Sequence, residues 1–217
     1  MDNIEHWIDR TDDATKLASE DEFWAIRGKA IQAYANLEQG LAQLFAVLAG
    51  TDESTASIVF FRIHSADARN KIMERLLQKN LGAQYNLFRN SLFKQLGSID
   101  RERNEVVHWN VINEVGTDAD GTTTSVLIMV PPANWIDAIN TPKRFREDLV
   151  AFSRKCEFYK CLIDMFGVAL TGHALCKWKP LFEQPIIYPP PDGHPCKLPS
   201  ELWRSVNQFL TLTVNDL

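Results

Sequence analysis

A chain of 217 residues with 45% hydrophobic and 24% charged side chains has the make-up of one folded domain with an appendage, not of a disordered segment. A formal net charge of −5 argues against a broad nucleic-acid-coating surface, because phosphate affinity comes from clustered Lys and Arg, although a cleft that grips one phosphate at a time needs only a few cations. The longest apolar runs, IVFF and SVLIMVPP, fall far short of the roughly 20 residues of a membrane span, and the acidic MDNIEHWIDRTDD lacks the basic start of a signal peptide, so the chain reads as cytoplasmic with no membrane partner.

In chain order, residues 21–49 place Ile31, Tyr34, Leu37, Leu41, Leu44 and Leu48 at the three-and-four spacing of one helical face. Gly50 stands where a helix terminator belongs, and TDES offers capping oxygens for the next helix. The segment ESTASIVFFRIHSADARNKIMERLLQ reads as two helical pieces meeting near His64 and Ser65, with Ile58, Phe61, Ile72, Met73, Leu76 and Leu77 on the buried side, stopped by Asn80 and Gly82. A further helix begins near Gln84, with Phe88, Leu92, Leu96 and Ile99 as its stripe.

After His108 the period changes, with Trp109, Val111 and Val115 on alternate positions; GTDADG then reads as a turn and TTTSVLIMV as a second strand, a β-hairpin over about 109–130. Pro131, Pro132 and Pro142 bracket a loop. Pro142 suits a first helical position, and Phe145, Leu149, Phe152, Cys156, Tyr159 and Ile163 resume a helical stripe. The expected architecture is mainly α over 1–178, with the inserted hairpin. Residues 179–217 form a proline-rich arm, not a separate domain, packed on the body or on a partner and ending in one short helix.

Polar groups crowd the end of the third apolar stripe, in RERNEVVHWN at 101–110. Cleaving an RNA phosphodiester needs a base for the 2′-hydroxyl proton, an acid for the leaving oxygen and cations for the charge on the phosphorane. Imidazole does proton work near neutral pH, and a guanidinium grips non-bridging oxygens with its fork of donors. Arg103 and His108 point in different directions on an unbroken helix, whereas Arg101, Asn104 and His108 share a stripe; a helix ending near His108 frees that side chain. The bland alternative is end-capping, since a helix C-terminus attracts cations through its dipole.

Arg103-Asn104-Glu105-Val106-Val107-His108 resembles the R-x4-6-H motif of the HEPN superfamily (higher eukaryotes and prokaryotes nucleotide-binding), in the form with a polar residue right after the arginine. The surroundings are similar over roughly residues 20–175: AYANLEQGLAQLF and FFRIHSADARNKIMERLL upstream, the motif at the end of a third helix, and a further long helix after it. The resemblance implies a HEPN-like up-and-down helical bundle over 1–178 and a homodimer whose two motifs meet in a composite site. It also implies a metal-independent endoribonuclease leaving 2′,3′-cyclic phosphate ends, with no cofactor, in a toxin–antitoxin or antiviral-defence setting where an antitoxin or regulatory protein is a partner. By position, Arg103 would stabilise the transition state, His108 would act as general acid or base, and Asn104 would orient phosphate or histidine. Arg101 and Glu105 are auxiliary candidates. Many members of the superfamily are inactive, so a non-catalytic nucleotide- or RNA-binding or protein-interaction module is the alternative.

Other groups carry weaker signals. Glu38 and Arg69 lie beside apolar stripes and are auxiliary candidates for orienting a cleft, or structural charges. His173-x2-Cys176 and His194-x-Cys196 have metal-ligand residue types but lack paired knuckle spacing, so no metal site is assigned. The four cysteines, Cys156, Cys161, Cys176 and Cys196, show no disulfide framework and read as reduced apolar fillers. Trp135, Trp178 and Trp203 lie near prolines and suit anchoring an arm. PKRFR at 142–146, with Arg154 and Lys155, is the most basic patch, a guide for RNA or a solvated helix start.

Overall fold

The computed structural model describes residues 13–117, 123–132, 142–171 and 176–197. It is mainly helical: α1 (Asp13–Ala49), α2 (Glu53–Arg62), α3 (Ala66–Leu81) and α4 (Asn86–His108) precede the antiparallel pair β1 (Asn110–Thr117) and β2 (Thr123–Val130). Helix α5 (Arg146–Leu170) and two short 3-10 helices, Cys176–Glu183 and Pro195–Lys197, follow. No single helix among the described residues is long and apolar enough to cross a membrane. The chain divides into two compact units, residues 1–38 with 97–157 and residues 39–96 with 158–217, whose boundaries fall inside α1, α4 and α5.

Local signals fix the helix ends. Gly50 takes φ +63°, and the N–H of Thr51 returns to the Ala46 carbonyl at 3.1 Å, closing α1 with a left-handed terminator that a Cβ would penalise. Asp52 accepts the Thr55 N–H at 2.9 Å and Ser65 Oγ accepts that of Ala68 at 3.2 Å, so α2 and α3 each begin on a capping oxygen. Asn80 turns away from its helix to donate to the Leu48 carbonyl at 2.7 Å, an orphan acceptor of the last turn of α1.

In the first unit, Phe23, Ala30, Tyr34 and Leu37 of α1, Ile99 and Val106 of α4, Ile128 to Val130 of β2 and Phe152 of α5 are buried. The hairpin pairs in register from Asn110 with Val130 to Thr117 with Thr123. Its buried positions gather at the end of β2, and Val115, expected on an inner face, is exposed. The GTDADG turn extends beyond the described residues, which leave the strands at Thr117 and resume at Thr123.

In the second unit the core is aromatic. Phe182, from the segment expected to be an arm, is fully buried with its ring 5.0 Å from those of Phe88 and Phe166. The segment is fixed further by the Ile186 N–H donating to Ser91 Oγ at 2.9 Å and by a Cys161–Cys196 disulfide. That bond overturns the expectation of four reduced cysteines: sequence spacing shows how far apart two cysteines are along the chain, whereas bonding needs Cα atoms close in space, here 5.8 Å. Among the described residues Cys156 is a buried free thiol, its pKa pushed up to about 12 by burial, with the Glu102 carboxylate adding to the effect.

Several apolar side chains expected in the core lie outside. Ile31, Ile58, Phe61 and Ile72 are exposed, Ile58 by 65%. The break at His64–Ser65 resets the helical phase, so α2 buries Ala56 and Phe60 and α3 buries Met73 and Leu77, each an i, i+4 pair. Pro142 does not open α5. Residues 142–145 are extended because Arg144 exchanges backbone hydrogen bonds with Met129, and α5 starts at Arg146, with Asp148 accepting the Phe145 N–H at 2.8 Å. The short helix expected after residue 200 lies outside the described residues.

Candidate functional site

Helix α4 remains α-helical through His108: the Trp109 N–H donates to the Glu105 carbonyl at 3.0 Å. The helix ends at His108, where the change of period at Trp109 places its end, but His108 itself is still helical, so its side chain is not freed from the helical direction. At about 100° per residue, Arg103 and His108 project about 140° apart around the axis, whereas Arg101, Asn104 and His108 fall along one stripe. These three are exposed, and Arg103 is half-buried.

Arg103 reaches that stripe through its neighbour. One of its terminal nitrogens donates to Asn104 Oδ1 at 3.1 Å, while its guanidinium lies over the ring of Tyr34, 5.5 Å from the centroid. The Tyr34 hydroxyl donates to Asp100 Oδ1 at 2.8 Å, which holds the ring in place. Arg103 and Asn104 are thus joined, and Asn104 shares its helix face with His108 one turn later.

The acidic members of the cluster are paired with cations from the segment around the start of α5. Glu102 accepts from Lys155 at 2.6 Å and from Ser98 at 3.1 Å. Glu105, an auxiliary candidate, pairs with Arg144 at 2.7 Å and so ties α4 to the extended segment ahead of α5, a positioning role.

Arg27 of α1 occupies the helix end. Its Nε donates to the Val106 carbonyl at 2.8 Å and one terminal nitrogen to that of Val107 at 3.1 Å, acceptors that the last turn of a helix leaves without intrahelical partners, and the same nitrogen donates to Trp109, the residue after α4, at 3.0 Å. Its guanidinium also stands over the Trp24 ring at 5.3 Å. End-capping, the bland role for the motif cations, is performed here by a residue from another helix. The signal was present in the sequence: Arg27 falls in line with Ala30, Tyr34 and Leu37, and a cation in an apolar stripe implies buried acceptors opposite it.

The Arg69 guanidinium stands over the Phe60 ring at 5.1 Å in the second unit, and Glu38 is half-buried on α1 in the first. The basic patch is largely consumed by ion pairs: Lys143 with Glu114, Arg144 with Glu105, Arg146 with Glu22 and Lys155 with Glu102, leaving Arg154 exposed. Cys196 is held in the disulfide, and no cluster of metal-ligating side chains occurs among the described residues. His173, Trp135 and Trp203 lie outside them. An open groove of about 300 Å³ runs between Glu20 and Trp24 of α1 and the hairpin residues Ile112 and Leu127; another of about 510 Å³ follows Arg146, Val150 and Arg154. Neither is lined by Arg103 or His108. Comparison with protein-family models, curated proteins and solved structures finds no match to this chain.

Proposed function

We propose that the chain is a metal-independent endoribonuclease of HEPN type, cutting RNA by attack of the 2′-hydroxyl to leave 2′,3′-cyclic phosphate ends. The observation that supports it best is the division of labour at the end of α4. Arg27 takes the helix-end carbonyls, so Arg103, Asn104 and His108 are not spent on capping. The imidazole of His108 transfers protons and the Arg103 guanidinium stabilises charge on the phosphorane, with Asn104 orienting phosphate. Arg101 lies on the same stripe as an auxiliary cation. On one protomer Arg101, Asn104 and His108 stand on an exposed helix face, which the half-buried Arg103 reaches through its bond to Asn104. A second copy, bringing its own pair, supplies the other wall of a composite cleft and excludes water. In this reading the protein works as a toxin or antiviral effector held by an antitoxin or regulator.

Purified protein incubated with RNA in EDTA is expected to cleave it, with cyclic phosphate ends on the products and loss of cleavage in His108→Ala and Arg103→Ala. Intact RNA from a well-folded dimer across several substrates overturns the reading.

A non-catalytic HEPN-like binding or interaction module is the second reading, favoured by the pairing of four cations in the 143–155 segment with carboxylates, which leaves little free phosphate-binding surface. Partner capture that survives loss of both Arg103 and His108 supports it; capture lost with them argues against it.

A further inference from the structure

Arg27 and Tyr34 stand seven residues apart on α1, close to two full turns, so their side chains leave the same face of the helix, with the fully buried Ala30 between them. Each holds a different part of the motif. Arg27 bonds the carbonyls of Val106, Val107 and Trp109, which bracket His108 on both sides. Tyr34 sits under the Arg103 guanidinium and is kept from turning by Asp100, one turn before Arg103 on α4.

We propose that this face of α1 is a positioning template for the motif, with Arg27 fixing the turn that carries His108 and Tyr34 fixing the cation of Arg103. The proposal rests on the ribonuclease reading for its catalytic consequence, though not for its geometry. Two reacting groups about 140° apart on one helix cannot set each other's position. They can share a reference if both are held by a third element, and α1 is that element. With the backbone fixed before and after His108, only its two side-chain torsions stay open. A planar fork is needed for three carbonyls in different directions, and the Trp24 ring over the guanidinium holds its plane. Lysine has the charge without the fork.

The test uses the full chain and the variants Arg27→Lys, Arg27→Gln, Tyr34→Phe and Tyr34→Leu. Amide exchange at Trp109 is followed by NMR, with Leu92 as a control for global folding, alongside kcat and KM on an RNA oligonucleotide. Both Arg27 variants are expected to speed exchange at Trp109 by roughly tenfold while Leu92 is unchanged. They are also expected to lower kcat by about 100-fold with KM within about threefold, because small misplacements of reacting groups cost rate more than binding. Tyr34→Leu is expected to lower kcat in the same way, and Tyr34→Phe, which keeps the ring under Arg103 but not the hydroxyl held by Asp100, to lower it much less.

Wild-type exchange at Trp109 in Arg27→Gln overturns the template, as does full rescue by lysine, a fall in kcat no larger than the fall in folded fraction, or equal loss in Tyr34→Phe and Tyr34→Leu. If the wild-type chain cleaves no RNA, the ribonuclease reading fails and the exchange measurement still decides whether Arg27 holds the His108 turn.

Discussion

Arg144 delivers two of its nitrogens to a single oxygen of Glu105, at 2.8 and 2.7 Å, while its own backbone pairs with Met129. One residue thereby joins the motif helix by its side chain and the sheet by its main chain. The pair is roughly a third exposed, so its coupling is expected at about 0.5–1 kcal/mol. A double-mutant cycle of Glu105→Gln and Arg144→Met in urea denaturation measures it, and strictly additive single effects would show that the pair contributes nothing.

Glycine-to-alanine changes in α1 are expected to have opposite signs at two positions. A Cβ at Gly28 meets nothing within 4 Å, so Gly28→Ala is expected to stabilise by about 0.5–1 kcal/mol through helix propensity. At Gly40 the Cβ would stand 3.1 Å from Asp164 Oδ1 and 3.4 Å from Lys160 Cγ, two side chains already ion-paired with each other. Gly40→Ala is expected to destabilise by about 1 kcal/mol despite the same propensity gain. Thermal midpoints of both variants against wild type decide it.

Removing the Phe182 ring is expected to cost about 3–5 kcal/mol, the range for deleting a buried aromatic among neighbours that cannot collapse into the gap. The comparison variant is Ile187→Ala, at a site 63% exposed, where little change is expected. Similar denaturation midpoints for the two would show that residues 176–197 are not part of the core.

The Cys161–Cys196 bond closes a separation of 35 residues, for which chain-entropy reasoning gives about 3–4 kcal/mol of stabilisation. Cys161→Ser with Cys196→Ser, or treatment of the wild type with dithiothreitol, should lower the urea midpoint by a matching amount. A midpoint indifferent to reductant contradicts a stabilising role.

Two groups of the second unit give stability a pH dependence of opposite sign. Burial lowers the pKa of His194 below the usual 6.5, so between the folded value and 6.5 the unfolded chain binds the extra proton and stability falls on acidification. Burial raises the Asp164 carboxyl above 3.8 against the opposing pull of Lys160, so the folded chain keeps that proton longer and stability falls as pH rises through the folded value. Urea midpoints from pH 4 to 8 should lose the acid-side slope in His194→Asn and the opposing slope in Asp164→Asn.

Helix ends were legible because Gly50, Asp52, Ser65 and Gly82 carry their signals locally. The phase of α2 was not, since whether Phe60 or Phe61 turns inward depends on Phe45, a ring 6.1 Å away that belongs to another helix. The motif itself could be read as a string on α4. Arg27, Tyr34 and Arg144, which decide where its groups stand, are 39 to 82 residues distant in sequence from the residues they hold, and no pattern within α4 points to them. The disulfide belongs to the same class: chain separation hides proximity.

The ion pairs around the start and middle of α5 have a consequence for ionic strength. Any polyanion settling there must displace a carboxylate for each phosphate it seats on Lys143, Arg144, Arg146 or Lys155, instead of releasing loosely held sodium or potassium ions into bulk solvent. Mass action then supplies little of the entropy that usually drives such association, so on this face affinity would change only gently with added salt, with a logarithmic slope nearer −1 than the roughly −3 to −4 that four free cations would give.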